Sequence, residues 1–274
     1  MAFAVAATDG GDHAGRPPLV EGADPGVAEQ LSAPPEELLR DSSLFLDFDG
    51  TLVAIAEQPD AVIVEEVLES LMPRLLVSLQ GRVAIISGRA LGEIDRLLVG
   101  GRFPASGSHG LEVRFPDGRL ITPDAPAALS EVVADMRALQ RETPGLVVEE
   151  KPFGAALHYR TAPAAENACR ALATKLAERD GLTLQPGKMV FEIKVAGEDK
   201  GTALRALMAD PVMAAGRPIF IGDDHTDEVA FEAAATLGGI GILVGPARPT
   251  AARYRLADVP ATLQWLQRAQ KALA

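Results

Sequence analysis

Short apolar runs alternate with amphipathic segments in the first part of the chain. Residues 44–46 form an apolar run that ends abruptly in aspartates and a glycine, and residues 82–89 contain a second run that ends in Ser-Gly. Apolar positions at near-helical spacing lie between them, at residues 67–76, and a further helix is predicted at residues 91–98. Strand–helix–strand alternation of this kind predicts a parallel sheet that is covered by helices on both faces.

A different pattern follows the Pro-Asp-Gly turn at residues 116–118. Helical segments are predicted at residues 127–142 and 164–179. Each is followed by a predicted pair of strands around a Pro/Gly turn, at residues 147–161 and 182–195. Helix–strand–strand, repeated twice, predicts an α+β module that is separate from the parallel sheet.

The parallel-sheet pattern resumes after this module and continues to a closing helix that contains Trp265. We therefore predict an α/β protein with a Rossmann-like, doubly wound parallel-sheet core. The core is assigned to residues 37–122 and 198–274, and the α+β domain is inserted at residues 123–197. Residues 1–36, rich in Ala, Gly, Pro and Asp without a sustained period, are predicted to be a flexible tail.

Composition and charge narrow the class of function. The 274 residues carry a formal net charge of −12 at pH 7, which argues against nucleic-acid binding. No apolar run approaches the roughly 20 residues of a membrane span, and the N-terminus lacks the basic region of a signal peptide. Cys169 is the single cysteine, which excludes an intrachain disulfide, and we interpret it as a packing residue. We expect a cytoplasmic protein with no membrane partner and, in the absence of heptad repeats, a monomer.

Polar residues of catalytic type stand at the ends of three predicted strands. Asp47 and Asp49 follow the first strand, Ser87 follows the second, and Asp223, Asp224 and Asp227 follow a later one. Each motif alone is common in solvated loops and turns. If the strands are neighbours, however, these groups converge on one crevice at the carboxyl edge of the sheet. Clustered carboxylates repel one another unless a cation compensates them, and their hard oxygen ligands point to Mg²⁺.

Four motifs in this order resemble those of the haloacid-dehalogenase-like phosphatases. The hhhDxDGT pattern is met at residues 44–51, and Ile-Ile-Ser-Gly-Arg matches the serine motif. The lysine motif matches residues 199–201, and the last motif matches residues 221–224 together with Asp227. The resemblance spans roughly residues 42–265.

This resemblance implies a phosphatase that forms a covalent intermediate. Asp47 is implied to attack phosphorus and carry the phosphoryl group, and Asp49 to act first as general acid and then as general base. Ser87 and Lys200 are implied to bind the phosphoryl oxygens. Thr51 is implied to add a hydrogen bond.

The resemblance also implies an Mg²⁺ cofactor. Its ligands would be the carboxylates of Asp47 and Asp223 and the backbone carbonyl of Asp49. Asp227 is implied to lie nearby, acting through water or by orienting a neighbour. Whether Asp224 or Asp227 is a direct ligand stays open.

Several local patterns resemble the trehalose-6-phosphate phosphatases in particular. They are GxHGLE at residues 107–112, ExK at 149–151, HYR at 158–160, GKxxxE at 187–192 and GDDxTDE at 222–228. The resemblance implies that the inserted module is a C2-type cap and that the substrate is the sugar phosphate trehalose 6-phosphate. The residues that it implies for substrate binding are Thr51, Arg89, His109, Gly110, Glu149, Lys151, Lys188 and Glu192.

Two departures from the family pattern bear on the exact substrate and do not touch the chemistry. Val195 stands where the family often has proline, and Ser108 stands before the loop histidine where Asn or Glu is commoner. The alternatives are a phosphatase for another sugar phosphate, such as sucrose phosphate or a glycosyl phosphoglycerate, and a phosphotransferase or mutase. A non-catalytic domain that senses a phosphosugar is the alternative from a different class.

Some of the implied site residues also have plain structural interpretations. His109 can cap its own loop, and Lys151 can be a solvated charge on a strand. His158 and Arg160 alternate along a strand and can form a polar seam. His225 has no expected role.

Overall fold

The structure is a computed structural model that describes residues 31–55, 64–98, 102–124, 127–187 and 189–273. Of the predicted tail, only its last residues fall within these ranges, and they lie against the core. The Ser32 carbonyl accepts a hydrogen bond from the Arg255 backbone N–H at 3.0 Å. The Pro34 carbonyl accepts one from the indole N–H of the buried Trp265 at 2.9 Å.

The described residues contain strands and helices in the alternating order that the sequence predicts. The strands are β1 (Ser42–Leu46), β2 (Val83–Ile86), β3 (Ala105–Gly107), β4 (Glu112–Arg114), β5 (Leu120–Ile121), β6 (Val147–Lys151), β7 (Gly154–His158), β8 (Leu182–Gly187), β9 (Val190–Val195), β10 (Arg217–Gly222), β11 (Ile240–Val244) and β12 (Tyr254–Leu256). The helices are α1 (Glu66–Ser78), α2 (Leu91–Leu97), α3 (Ala128–Glu142), α4 (Glu166–Ala177), α5 (Lys200–Met208), α6 (Pro211–Ala214), α7 (Glu228–Thr236) and α8 (Val259–Lys271). Short 3-10 helices lie at Glu36–Leu39, Ser108–Gly110, Pro163–Ala165 and His225–Asp227.

The larger sheet has eight strands in the order β12-β11-β10-β1-β2-β3-β4-β5. The strands from β12 to β3 are parallel, and β4 and β5 are antiparallel additions at one edge. Leu44 and Leu46 face a cluster that includes α1 and α8. Phe45 and Phe220 face a second cluster with α5 and α7 on the opposite side. The predicted doubly wound α/β core is therefore confirmed.

A short hairpin at the edge of this sheet was not predicted. Strands β4 and β5 flank the Pro-Asp-Gly turn, with Val113 opposite Ile121 and Arg114 opposite Leu120. A strand of two residues is too short to show a period, and both residues of β5 are exposed. The turn therefore lies within the large sheet, and the chain leaves this sheet after β5.

The inserted segment, residues 123–197 (the insert), has its own antiparallel sheet in the order β6-β7-β9-β8. Helices α3 and α4 cover one face, and Met136, Leu157, Cys169 and Phe191 are buried in that interface. The predicted repeat of helix–strand–strand is confirmed, and Cys169 packs in this core. The division into domains at 122/123 and 197/198 stays a prediction.

Among the described helices, none combines the length and the apolar character that crossing a bilayer requires.

Candidate active site

The three strands that carry the predicted catalytic residues are neighbours. Strand β1 lies between β10 and β2, and Leu46 is in register with Ile221 on one side and Ile85 on the other. Asp47 therefore leaves the sheet beside the ends of both neighbouring strands. The predicted convergence of the acidic and serine motifs at the carboxyl edge is thus observed.

Three carboxylates form a tight cluster at this edge. Asp47, Asp223 and Asp227 each place an oxygen within 4.8 Å of the other two. Burial raises the pKa of Asp47 well above its usual value, although Lys200 opposes the shift. Burial, followed by the charge of Asp227, raises the pKa of Asp223 to about 6. Burial and mutual repulsion both disfavour the charged forms of these carboxylates. A divalent cation bound among them would offset both effects.

Lys200 is the counter-charge of the cluster in the described structure. Its ammonium donates to Asp47 Oδ1 at 2.8 Å and to Asp227 Oδ1 at 2.6 Å, and its side chain is buried. Burial lowers the pKa of Lys200, but the two carboxylates outweigh burial and the net pKa is raised, so the lysine stays charged. It is the first residue of α5, whose N-terminus is capped by the Asp199 carboxylate, which accepts from the Thr202 N–H at 2.7 Å.

Asp227 uses both of its oxygens within the protein. Oδ1 accepts from Lys200, and Oδ2 accepts from the backbone N–H of Asp224 at 2.9 Å. Its side chain is fully buried. Asp227 therefore holds both the lysine and the acidic loop in position, whether or not it also touches a metal.

The turn after Asp49 requires a glycine. Gly50 has a φ of +81°, and a Cβ there would lie 2.1 Å from Asp223 Oδ2. The Gly50 N–H donates to the Val53 carbonyl at 2.7 Å, which closes the turn. The hydroxyl of the next residue, Thr51, donates to Asp223 Oδ1 at 3.4 Å. The turn residues thus pack directly against the acidic cluster.

Asp49 is bound by Arg89. The guanidinium donates from Nε to Oδ2 at 2.6 Å and from Nη2 to Oδ1 at 2.8 Å, a two-point ion pair. Burial lowers the pKa of Arg89, but the hydrogen bond and charge of Asp49 more than offset this, so its pKa is raised. The Arg89 backbone N–H also donates to Ser87 Oγ at 3.2 Å. The serine motif and the second aspartate are therefore joined through one residue.

His109 lies beside the serine motif in the short 3-10 helix that it shares with the buried Gly110. The backbone N–H of His109 donates to the Ser87 carbonyl at 3.1 Å. A Cβ on Gly88 would lie 2.5 Å from the imidazole, so the ring fits only because that residue is glycine. Burial, followed by the charges of Lys194, Lys200 and Lys151, lowers the pKa of His109 to about 3. The imidazole is therefore neutral at neutral pH.

The insert presents charged side chains from β6 and β9 on either side of β7. Glu149 and Glu192 both lie opposite the small Ala156. Across that strand, the Lys151 ammonium donates to Glu192 Oε2 at 2.7 Å. Lys188, which was also implied in substrate binding, lies outside the described residues.

Glu149 has its own partner. His158 Nε2 and Glu149 Oε2 are 2.9 Å apart, and this hydrogen bond is the main reason why the pKa of Glu149 is lowered. The charge of Lys151 adds to the effect. His158 thus forms part of a polar seam, whereas Arg160 is exposed.

Core and insert together line a cleft of about 360 Å³. The core contributes Gly88, Ser108 and Glu112, and the insert contributes the strand charges described above. Its size falls in the range of small-molecule sites. Paired carboxylates and ammonium groups on its wall are suited to the hydroxyls of a sugar.

Two residues near the site were missed by the sequence-based prediction. Lys194 lines the cleft, two residues beyond Glu192 on the same face of β9. The alternation along that strand was a signal that could have found it. Arg248 donates to the carbonyl oxygen of Asp224 at 2.8 Å and of Asp223 at 3.4 Å, and it pairs with Glu228. No local pattern marks Arg248, because its contacts bring together two separate loops.

The fold, with its acids, serine and lysine gathered at the carboxyl edge of a parallel sheet, defines a haloacid-dehalogenase-like phosphatase. The family model described as Trehalose-phosphatase matches residues 45–260. The chain therefore belongs to the trehalose-phosphatase family, and it is a phosphatase.

Individual relatives support this assignment. A trehalose-6-phosphate phosphatase of Escherichia coli (strain K12) is 36% identical over 249 residues, which cover 90% of this chain and 93% of the relative. The crystal structure of a trehalose-6-phosphate phosphatase related protein is 26% identical with a TM-score of 0.67, covering 84% of this chain and 97% of that chain. The C-terminal domain of a trehalose-6-phosphate phosphatase of C. albicans is 21% identical with a TM-score of 0.72, covering 88% and 98%, and it supports the fold alone.

Proposed function

We propose that this phosphatase hydrolyses trehalose 6-phosphate to trehalose and phosphate, with Mg²⁺ and a phospho-aspartyl intermediate on Asp47. The observation that carries the proposal is the position of Asp47. It is buried against Lys200 at the carboxyl edge of the sheet, where the GxHGLE loop and the insert add sugar-binding types of side chain.

The residues at the acidic cluster fit Mg²⁺. All donors are oxygens, and the raised pKa values of Asp47 and Asp223 reflect repulsion and burial that a divalent cation would relieve. We propose the carboxylates of Asp47 and Asp223 and the carbonyl of Asp49 as ligands, with Asp227 as the residue that orients Lys200. When bound, Mg²⁺ supplies positive charge that offsets the repulsion between the nucleophile and the phosphate dianion.

In the first proposed step, an Asp47 carboxylate oxygen forms a bond to phosphorus as the phosphorus–oxygen ester bond breaks. Asp49 donates its proton to the departing sugar oxygen, which leaves as a hydroxyl. Lys200 and Ser87 bind the phosphoryl oxygens, over which the charge is spread. Thr51 supports this arrangement through its contact with Asp223.

In the second step, water attacks the phosphorus of the acyl phosphate. Asp49, now a carboxylate, accepts the proton of the water, and the bond between phosphorus and the Asp47 oxygen breaks. Inorganic phosphate leaves, and both aspartates return to their initial states. Two easier displacements thus replace one difficult step.

The ion pair between Asp49 and Arg89 adds a condition to this cycle. Asp49 must reach the departing sugar oxygen, but both of its carboxylate oxygens are held by the Arg89 guanidinium. We propose that the substrate phosphate draws Arg89 away, because the guanidinium binds a phosphate as well as a carboxylate. Arg89 would then be a substrate-binding residue only when the cleft is occupied.

The insert is proposed to act as a cap with boundaries at 122/123 and 197/198. Glu149, Lys151 and Glu192 would bind sugar hydroxyls, together with Lys188. His109 and Gly110 would contact the sugar from the core, and the neutral imidazole suits this role because it can both donate and accept a hydrogen bond. Closure of the cap would exclude water from the first step.

The test is phosphate release from trehalose 6-phosphate, with glucose 6-phosphate and sucrose 6-phosphate alongside. Wild-type protein with Mg²⁺ is expected to release phosphate from trehalose 6-phosphate preferentially. EDTA should abolish the reaction, and Asp47→Asn should lower kcat by roughly a thousandfold or more.

Two outcomes would contradict the proposal in different ways. Preferential release from another sugar phosphate would keep the chemistry and reject the substrate. If folded, Mg²⁺-loaded protein binds trehalose 6-phosphate but releases no phosphate, the chain is a phosphosugar sensor and the catalytic roles are wrong.

A further inference from the structure

The register of the insert sheet places two lysines side by side on the face that lines the cleft. Lys151 on β6 and Lys194 on β9 both lie directly opposite Gly154 on β7. Directly opposed residues share a face of a sheet, and the glycine between them has no side chain to keep them apart. The cleft is lined by both lysines and by Gly154 itself.

The lysines around this cleft differ in their partners. Lys151 is paired with Glu192, and Lys200 is paired with both Asp47 and Asp227. Within the part of the chain that the structure describes, the Lys194 ammonium makes no hydrogen bond and no ion pair. Of these three described lysines, Lys194 is the one that is not paired with a carboxylate.

Lys194 is also poorly solvated. Its side chain is partly buried at the junction of insert and core. Burial lowers its pKa, the charges of Lys151 and Lys200 lower it further, and Glu192 and Asp199 oppose the shift. A partly buried cation without a partner costs free energy that an arriving anion would recover.

The position of Lys194 indicates which anion this is. Lys194 lines the cleft together with Gly88, which directly follows Ser87 in the serine motif. Its charge also lowers the pKa of His109, whose imidazole lies against Gly88. Lys194 therefore faces the phosphoryl end of the cleft. In a sugar phosphate, the phosphoryl group is the only anionic part, and sugar hydroxyls would leave the charge uncompensated.

Given the proposed hydrolysis of a sugar phosphate, we propose that Lys194 binds the phosphoryl group from the insert side. The insert would then recognise the phosphate as well as the sugar. Because Lys194 is on β9, its contact would also hold the insert against the core while the phosphate is present.

The experiment compares Lys194→Met with Lys194→Arg and with the control Lys175→Met, which removes an exposed charge from α4. Methionine keeps the apolar stem and removes the charge, whereas arginine keeps the charge. The affinity of each Mg²⁺-loaded protein for inorganic phosphate is measured by calorimetry. Inhibition by trehalose and the kcat and KM for trehalose 6-phosphate are measured in parallel, and circular dichroism checks that each variant is folded.

Lys194→Met is expected to weaken phosphate binding by about tenfold or more, the usual loss for a charge-assisted hydrogen bond. Lys194→Arg should stay within about threefold of wild type, since a guanidinium also binds phosphate. Trehalose inhibition should not change in either variant, and Lys175→Met should match wild type throughout.

Unchanged phosphate affinity in folded Lys194→Met would overturn the inference. A loss of trehalose inhibition with phosphate binding intact would also overturn it, because it would assign Lys194 to the sugar. If Lys194→Met does not fold, Lys194→Gln takes its place with the same criteria. If wild-type protein does not hydrolyse trehalose 6-phosphate, the proposed function fails, but the phosphate titration still decides the role of Lys194.

Discussion

The Arg89 guanidinium donates a hydrogen bond to each carboxylate oxygen of Asp49, at 2.6 and 2.8 Å. It thereby joins the serine motif to the motif that carries the proposed nucleophile. Only 11% of the Arg89 side chain is exposed, against 33% for Asp49, so the aspartate is the more accessible partner of the pair. The planar guanidinium matches a carboxylate at two points and fixes its orientation. The proposed general acid is therefore held in place before any substrate binds.

We predict that Arg89→Lys lowers kcat/KM for the sugar phosphate by about ten- to a hundredfold. Lysine keeps the charge but cannot make the two-point contact with Asp49 or with a phosphate. The measurement is steady-state kinetics with Mg²⁺ at saturation. Arg96→Lys, at an arginine that lines the cleft, serves as the matched change. Equal losses in both variants would mean that the Asp49 contact has no special role.

Asp223 should make the metal-free protein less stable as the pH rises. Its pKa in the folded protein is raised from 3.8 to about 6, so the folded state holds the proton more tightly than the unfolded state. The contribution to stability is fully present below pH 3.8 and is lost as the pH rises through about 6. Mg²⁺ should therefore raise the melting temperature more above pH 6 than below it.

Thermal melts with EDTA and with Mg²⁺ across this pH range would check the prediction. Asp223→Asn is the control, because it removes the titration and keeps the shape of the side chain. If the variant and the wild-type protein show the same pH dependence in EDTA, the raised pKa of Asp223 does not contribute to stability.

His109 should not contribute to the pH profile of the reaction near neutrality. With a pKa of about 3 it is neutral throughout the working range. His109→Gln keeps a group that donates and accepts, and we expect a KM increase of about three- to tenfold with the pH profile unchanged in shape. Disappearance of an inflection near neutral pH in this variant would show that the histidine titrates there after all.

Arg248 should influence metal binding without touching the metal. It donates to the carbonyls of Asp223 and Asp224 and pairs with Glu228, which itself accepts from the Ala251 N–H at 2.8 Å. Removing it takes away one of the contacts that hold the acidic loop. We predict that Arg248→Met weakens Mg²⁺ binding by about tenfold, as loss of an outer contact does at other metal sites.

The control for Arg248 is Arg253→Met, which removes an exposed charge nearby. Mg²⁺ titration of thermal stability measures the effect. If both variants need more Mg²⁺ than the wild-type protein by the same factor, the weaker binding is due to net charge. If only Arg248→Met needs more Mg²⁺, the weaker binding is due to the position of the acidic loop.

Much of the site could be predicted because its motifs coincide with strand ends. A short apolar run that stops at Asp47 is typical of a buried strand that reaches the edge of the sheet, and Lys200 follows a residue suited to cap a helix. The β4–β5 hairpin could not be predicted, because two exposed residues carry no period. The ion-pair partners of charged side chains could not be predicted either. The carboxylates that bind Arg89 and Lys151 are both far from them in sequence.

By itself, the sequence determined the element types, the order of the motifs and the residue types of the chemistry, because these depend on local periodicity and on spacing along the chain. Only the tertiary structure decided that Asp47, Asp223 and Asp227 share one cluster and that Arg89 holds Asp49. It also decided that Lys194 reaches the cleft without a partner among the described residues. Such pairings depend on strand order and register, which bring together side chains that are far apart in sequence. A local sequence pattern contains no information about these contacts.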